Sequence, residues 1–216
     1  MLKILSEEFS LVTEWINELR NVEVQQDRMR FRRNIERIGE IAAVEISKHL
    51  ETEEIVIQTP LEKITSKKLK TQPVVTTILR AGVPLFNGVL NYFDKADCGF
   101  VAAYRKHESN EYFSIKQDYL TCPNLKNRPL IVADPMLATG ASLIEAMNDL
   151  LTHGKPSEIH IVAVIASEQG VKFVQEKYPN ANLWIGVIDP DLTEKGYISP
   201  GLGDAGDLSF GQKLQE

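Results

Sequence analysis

The chain has 216 residues, 43% hydrophobic and 25% charged, with a formal net charge of -6. At ~100–200 residues per domain it forms one large domain, or one with an added subdomain, and can bury a core without disulfides or a structural metal. This composition excludes a disordered chain, a collagen-like fibre and a disulfide scaffold, and the acidic balance argues against broad nucleic-acid binding.

Residues 1–50 read as helical. Phe31, Ile35, Ile38 and Ala42 recur at three- and four-residue steps, which marks one face of a helix. Residues 53–72 look extended around Ile55-Val56-Ile57. From Gln72 the pattern changes. Short β-branched runs at Val74–Leu79, Cys98–Ala103, Leu130–Ala133, Ile159–Ala166 and Leu183–Ile188 lack polar alternation, as expected of strands covered on both faces. Helix-sized segments at 84–94, 142–153 and 168–178 separate them, which implies an α/β doubly wound, parallel sheet flanked by helices. Residues 189–216 are rich in Gly and Asp and show no clear regular pattern. The expected organisation is a single unit: an N-terminal helical and extended arm (1–70), an α/β core (72–190) and a C-terminal loop and tail (191–216).

After Tyr104 the chain runs through a polar stretch, Arg105 to Glu111, into the alternating Tyr112-Phe113-Ser114-Ile115-Lys116. This predicts a hairpin, either a plain surface feature or a lid over a site at the strand ends.

Cys98 and Cys122 lack metal-ligand spacing and read as reduced thiols. Met1 to Glu8 has no continuous apolar region, and the longest apolar runs fall short of the ~20 residues that span a bilayer. These features give a cytoplasmic expectation. There is no internal repeat or low-complexity segment.

Ligands of open α/β sheets bind outside the carboxyl ends of the strands. There the sequence places Arg80-Ala81-Gly82, Tyr104-Arg105 and Asp134 to Ser142. Two arginines converging with such a loop point to a highly anionic ligand, because Arg matches phosphate by paired bonds. The loop follows a buried strand and opens a helix, with Ser142 and Glu145 spaced as a capping box and Gly154 placed to end the helix. Helix N–H groups, the Thr139 and Ser142 hydroxyls and the open backbone at Gly140 suit a monophosphate; the alternative is a plain capped βα turn. Asp134 can bind ribose hydroxyls, or a cation through water. Neither a nucleoside-triphosphate P-loop nor a dinucleotide fingerprint is present. A second Gly-rich stretch, Tyr197 to Asp207, either reads a planar heterocycle through its backbone or is a flexible C-terminal loop.

Asp134-Pro-Met-Leu-Ala-Thr-Gly-Ala-Ser142 resembles the phosphoribosyl-pyrophosphate (PRPP) loop of uracil phosphoribosyltransferases, in which Pro replaces the second acidic residue usual in type I phosphoribosyltransferases, as at Pro135. Tyr197 to Asp207 resembles that family's uracil loop, Leu79-Arg80-Ala81-Gly82 its pyrophosphate loop, and Tyr104-Arg105 its second phosphate-binding arginine. The resemblance covers nearly the whole chain in motif order. It departs at Ala141, where the family commonly has Gly, at Leu208, where it usually has Arg, and in the lid, which lacks an acidic-proline turn.

The resemblance implies a type I phosphoribosyltransferase fold with a lid hairpin and a hood built from terminal segments. It implies pyrimidine salvage: a glycosyltransferase (pentosyltransferase) joins uracil to PRPP, giving UMP and diphosphate, with Mg2+. Arg80, Arg105, Asp134 and Asp204 are then the expected catalytic residues. PRPP is expected to contact Arg80, Arg105, Asp134, Pro135, Met136, Leu137, Ala138, Thr139, Gly140, Ala141, Ser142 and Asp204. Uracil is expected to contact Tyr197, Ile198, Gly203, Asp204 and Ala205. The magnesium is expected to be held mainly by diphosphate and water, with no direct protein ligand.

The basic cluster Arg28, Arg30, Arg32, Arg33 and Arg37 reads as a solvated or subunit-contact face, or as an effector-phosphate site, for which the resemblance implies GTP. It is also the only candidate surface for an RNA-binding regulator on this fold, a reading that the acidic total disfavours; no nucleic-acid or membrane partner is expected. The resemblance further implies a homodimer or higher homo-oligomer, with Ile55–Lys63 as a candidate contact arm. His49, His107, His153 and His160 lie apart in the chain, so a metal site is not expected among them.

Overall fold

A computed structural model describes the backbone of residues 1–107 and 113–213, with side chains outside 103–118. In chain order the elements are β1 (Leu2–Ile4), α1 (Leu11–Arg20), α2 (Arg28–Ser47), β2 (Thr52–Gln58), β3 (Lys63–Leu69), β4 (Val74–Leu79), α3 (Val83–Leu90), β5 (Asp97–His107) and β6 (Phe113–Thr121). They continue as β7 (Pro129–Ala133), β8 (Met136–Leu137), α4 (Ala141–Leu150), β9 (Glu158–Ser167), α5 (Glu168–Lys177), β10 (Asn182–Asp189), β11 (Asp191–Leu192), β12 (Ile198–Ser199) and α6 (Ala205–Phe210).

The main sheet runs β1-β10-β9-β7-β4-β5-β6, with β8 added on β9. All its pairings are parallel except that of β5 with β6, which forms the expected hairpin. The tip, 108–112, on which the lid expectation falls, lies outside the described residues.

Both faces of the sheet are covered. On β7, Ile131 and Ala133 join the cluster packed with Val12, Ile16, Phe31, Ile35 and Leu85 of α1–α3. Leu130 and Val132 join the opposite cluster with Leu143, Met147, Val171 and Val174 of α4 and α5. Every residue of β7 is therefore buried, which is why the run shows no polar alternation. Cys98 and Cys122 pack against opposite clusters and are free thiols.

Three expectations need correction. Residues 1–50 are not wholly helical: Leu2–Ile4 is an edge strand parallel to β10. Three residues are too few to show a period, so the pairing comes entirely from the partner strand. The 84–94 helix ends at Leu90. Residues 189–216 do hold regular structure, the β11–β12 hairpin and α6, in pieces too short for periodicity to reveal. The extended reading of 53–72 resolves into the antiparallel pair β2–β3, which stands apart from the main sheet.

Candidate active site

The turn after β4 and the loop after β7 are neighbours because β4 and β7 pair in parallel, with Thr77 opposite Ala133. The Thr77 hydroxyl donates to the Ala133 carbonyl at 3.0 Å, tying the two carboxyl ends together. Arg80 follows directly on one side and Asp134 on the other.

Asp134, Met136, Ala138, Thr139, Gly140 and Ser142 line one cleft. Gly140 caps α4 with φ +80°, a left-handed conformation that L side chains adopt only with strain. A Cβ there would also come within 3.1 Å of the Phe173 ring. The Thr139 hydroxyl accepts the Ala141 N–H at 3.3 Å. The expected Ser142–Glu145 capping box is absent. The helix begins at Ala141, two residues earlier than that cap requires, so Ser142 is already its second residue, and Gly140 provides no side-chain cap. Ser142 instead lines the cleft. Gly154, placed to end this helix, does take a positive φ of +126° after a one-turn extension, Leu151–His153.

Asp134 accepts the Met136 N–H at 3.4 Å. Burial pushes its carboxyl up to about 7, although that N–H works the other way. Ser167 holds the loop from behind and had not been singled out in the sequence. Its hydroxyl donates to the Ala138 carbonyl at 2.6 Å and accepts the Gly170 N–H at 2.9 Å as the N-cap of α5. Its one sequence signal is a Ser immediately before a helical segment.

The base-loop candidates lie on β12 and the turn into α6. Ile198, Leu202 and Ala205 are buried, whereas Tyr197 is exposed. Asp204 caps α6 by accepting the Asp207 N–H at 2.9 Å and receives the Lys213 ammonium at 3.0 Å. Burial works to raise its carboxyl, but these two donors hold it below the usual carboxylate range. Arg80 donates to Asp207 at 2.8 Å, so the turn after β4 touches α6. The structure therefore brings Arg80, the 134–142 loop and the 198–207 segment to one end of the sheet. Arg105 lies on β5, the strand beside β4, but its side chain and that of Tyr104 lie outside the described residues.

The basic cluster does not form a free patch. Arg30 pairs with Glu18, Arg33 with Glu36 and Glu40, and Arg32 donates to the Ser209 carbonyl. Arg37 donates to Asn34 and lies over the Trp15 ring. His160 is fully buried and accepts the Trp184 indole N–H at 3.1 Å, a packing role at the opposite end of the strands.

A family model described as uracil phosphoribosyltransferase matches residues 7–212. The chain belongs to the uracil phosphoribosyltransferase family. It is 46% identical to a uracil phosphoribosyltransferase of Porphyromonas gingivalis, over 97% of this chain and 98% of that one. It is 36% identical to a namesake of Thermococcus gammatolerans, over 97% and 93%. Among solved structures, the AQ2163 protein from Aquifex aeolicus superposes with a TM-score of 0.87 at 30% identity, covering both chains completely. The chain is a pentosyltransferase that makes UMP and diphosphate from uracil and PRPP, built on a mostly parallel sheet flanked by helices. Among the described residues no helix is long and apolar enough to cross a membrane.

Proposed function

We propose that the 134–142 loop holds the phosphoribosyl group while the 197–205 segment presents uracil to it. The observation that carries this reading is the shared cleft of Asp134, Thr139, Gly140 and Ser142 at the N-terminus of α4. Pro135, Met136, Leu137, Ala138 and Ala141 shape its backbone. N–H groups of the first turn meet the 5′-phosphate, and Asp134 accepts bonds from the ribose hydroxyls. Asp204 contacts the same substrate from the base side.

The bond between ribose C1 and the diphosphate oxygen breaks as a bond from C1 to uracil N1 forms, and the N1 proton is released to solvent. Positive charge develops on the ribose ring and negative charge on the leaving diphosphate. No covalent nucleophile is required. The protein positions two substrates and stabilises the leaving charge, the role assigned to Arg80 and Arg105.

Uracil selection follows from hydrogen-bond polarity. Uracil offers O2 and O4 as acceptors and N3–H as a donor. N–H groups near Gly203 and Ala205, with the Ile198 carbonyl, match that pattern, while Tyr197 borders the base. Cytosine reverses the pattern at positions 3 and 4 and leaves groups unpaired, at ~1–3 kcal/mol for each.

Magnesium is the proposed cofactor. Among the described residues no group of three His, Cys, Asp or Glu could hold a metal, and Asp134 has Pro135 beside it rather than a second carboxylate. This donor set fits an ion bound mainly by diphosphate and water, with Asp134 as an outer contact. When bound, the ion neutralises part of the diphosphate charge.

A homo-oligomer is the proposed assembly. Its contact arm is β2–β3, where Val56, Ile57, Leu61 and Ile64 are exposed. GTP as an effector rests on the resemblance alone, since four of the five arginines in the basic cluster already have partners within the chain. Cytoplasmic residence completes the proposal.

The test is a base-competition assay with PRPP and magnesium. Uracil should be consumed, with cytosine, hypoxanthine and orotate left behind. Preferential consumption of another base would overturn the assignment of 197–205.

A further inference from the structure

The base segment leaves β12 and turns sharply at Gly201, where φ is +64°. One ion pair holds both backbone polar groups of this residue. The Gly201 N–H donates to Asp189 Oδ2 at 2.8 Å, and its carbonyl accepts from Arg20 Nη1 at 3.1 Å. Arg20 and Asp189 are joined by two further bonds, of 2.8 Å and 2.6 Å. Arg20 is the last residue of α1 and Asp189 the last of β10, so two elements of the rigid core meet at this turn.

The Asp189 side chain is only 5% exposed and that of Arg20 22%. Burial works to raise the Asp189 carboxyl, but the bonds from Arg20 and Gly201 and the guanidinium charge hold it below its ordinary value. The pair is therefore charged at neutral pH. Removing one member of such a pair strands the other, so the arrangement is sensitive to single substitutions.

The turn is tight: a Cβ on Gly201 would lie 2.0 Å from the Ile198 carbonyl oxygen. Fixing the Gly201 peptide therefore fixes where the Ile198 carbonyl sits. On the outer side, Gly201 to Gly203 border an open groove of about 570 Å3 whose other wall includes Val22, Gln25 and Arg28. Leu202 anchors the segment by burying its side chain, but side-chain burial does not set the rotation of the preceding peptide. Hydrogen bonds at both ends of that residue do.

We propose that Arg20 and Asp189 are positioning residues for uracil recognition. Their ion pair clamps Gly201 and so sets the Ile198 carbonyl and the N–H groups of Gly203 and Ala205 at the spacing of a uracil edge. The inference rests on reading 197–205 as the base loop. Neither residue touches the reacting atoms.

The test is steady-state kinetics of the full chain with Arg20→Gln, Arg20→Lys and Asp189→Asn, beside Gly203→Val. In Arg20→Gln and Asp189→Asn the KM for uracil should rise roughly tenfold or more, because bonds to a charged group are lost. The KM for PRPP should stay within about twofold, since the lost interaction serves one substrate only. Lysine keeps the charge but not the fork, so Arg20→Lys should recover part of the loss. The preference for uracil over cytosine should narrow in step. An unchanged uracil KM in these variants, with a raised one in Gly203→Val, overturns the clamp and leaves the base loop standing. Unchanged values in all four variants overturn the base loop itself. A parallel rise for both substrates with a lowered Tm makes the pair merely structural and also overturns the proposal. If Arg20→Gln does not fold, Arg20→Lys and Asp189→Asn carry the comparison.

Discussion

Arg80 reaches across 2.8 Å to Asp207 and links the turn after β4 to the helix that follows the base segment. The same Asp207 lies 3.7 Å from the Lys213 ammonium. Arg80 is thus held by an internal carboxylate at the place where a diphosphate is proposed to leave. With 42% of the Arg80 side chain exposed, solvent screens the pair, so it contributes little to stability.

Arg80→Ala should therefore barely shift Tm yet lower kcat/KM for PRPP by roughly 10²–10³, the scale of losing one preorganised charge stabiliser. Asp207→Asn should leave Arg80 in place and bind diphosphate at least as tightly as the parent chain. Calorimetric titration with diphosphate checks the second point. Weaker binding in Asp207→Asn would show that the carboxylate orients Arg80 rather than competing for it.

Gly140→Ala places a side chain on a backbone at φ +80° and within 3.1 Å of Phe173. The left-handed strain alone costs about 1–2 kcal/mol. Urea unfolding should show that loss, and the KM for PRPP should rise while that for uracil holds. An unaltered midpoint would mean that the turn relaxes freely.

Ser167→Ala removes both the α5 cap and the bond to the Ala138 carbonyl. The cost should be about 1–2 kcal/mol by chemical denaturation, at the upper end for a cap. Because Ser167 stands behind the phosphate loop, its loss should also raise the KM for PRPP. A stability loss with unchanged kinetics would limit Ser167 to capping.

The contiguous parts of this site were legible in the sequence. Asp134 to Ser142 is one uninterrupted loop between a buried strand and a helix, so its place at the carboxyl end of that strand could be read without knowing the fold. Tyr197 to Asp207 stood out only as a Gly-rich stretch, because β12 and the first turn of α6 inside it are too short to show a period. The Arg20–Asp189–Gly201 clamp was not, because Arg20 lies 169 residues from Asp189 and only chain folding brings them together. β1 and α6 were missed because three and six residues carry no measurable period. The capping role given to Ser142 failed by two residues: a left-handed glycine at 140 takes the cap position and starts the helix early, a choice that composition does not reveal.

Asp134 makes the chain pH-sensitive in a defined direction. Its pKa is raised from 3.8 to about 7 by burial, so the folded state keeps a proton that the unfolded chain has already released. That stabilisation is complete below 3.8 and is lost as pH rises through about 7. Stability of the free chain should therefore decline over this window, and the decline should flatten in Asp134→Asn. Ribose hydroxyls donate to the ionised carboxylate, so PRPP should bind with release of a proton below neutrality, and its affinity should rise with pH up to about 7 and level off above. Calorimetry in buffers of different ionisation enthalpy measures the released proton. A pH-independent affinity would place Asp134 away from the ribose.

The most direct test of the account is UMP formation from uracil and PRPP with magnesium, measured for the parent chain and for Asp134→Asn. The account predicts robust turnover in the parent and its collapse in the variant, with the variant still folded. Turnover that survives intact in Asp134→Asn would contradict the placement of PRPP in the 134–142 loop.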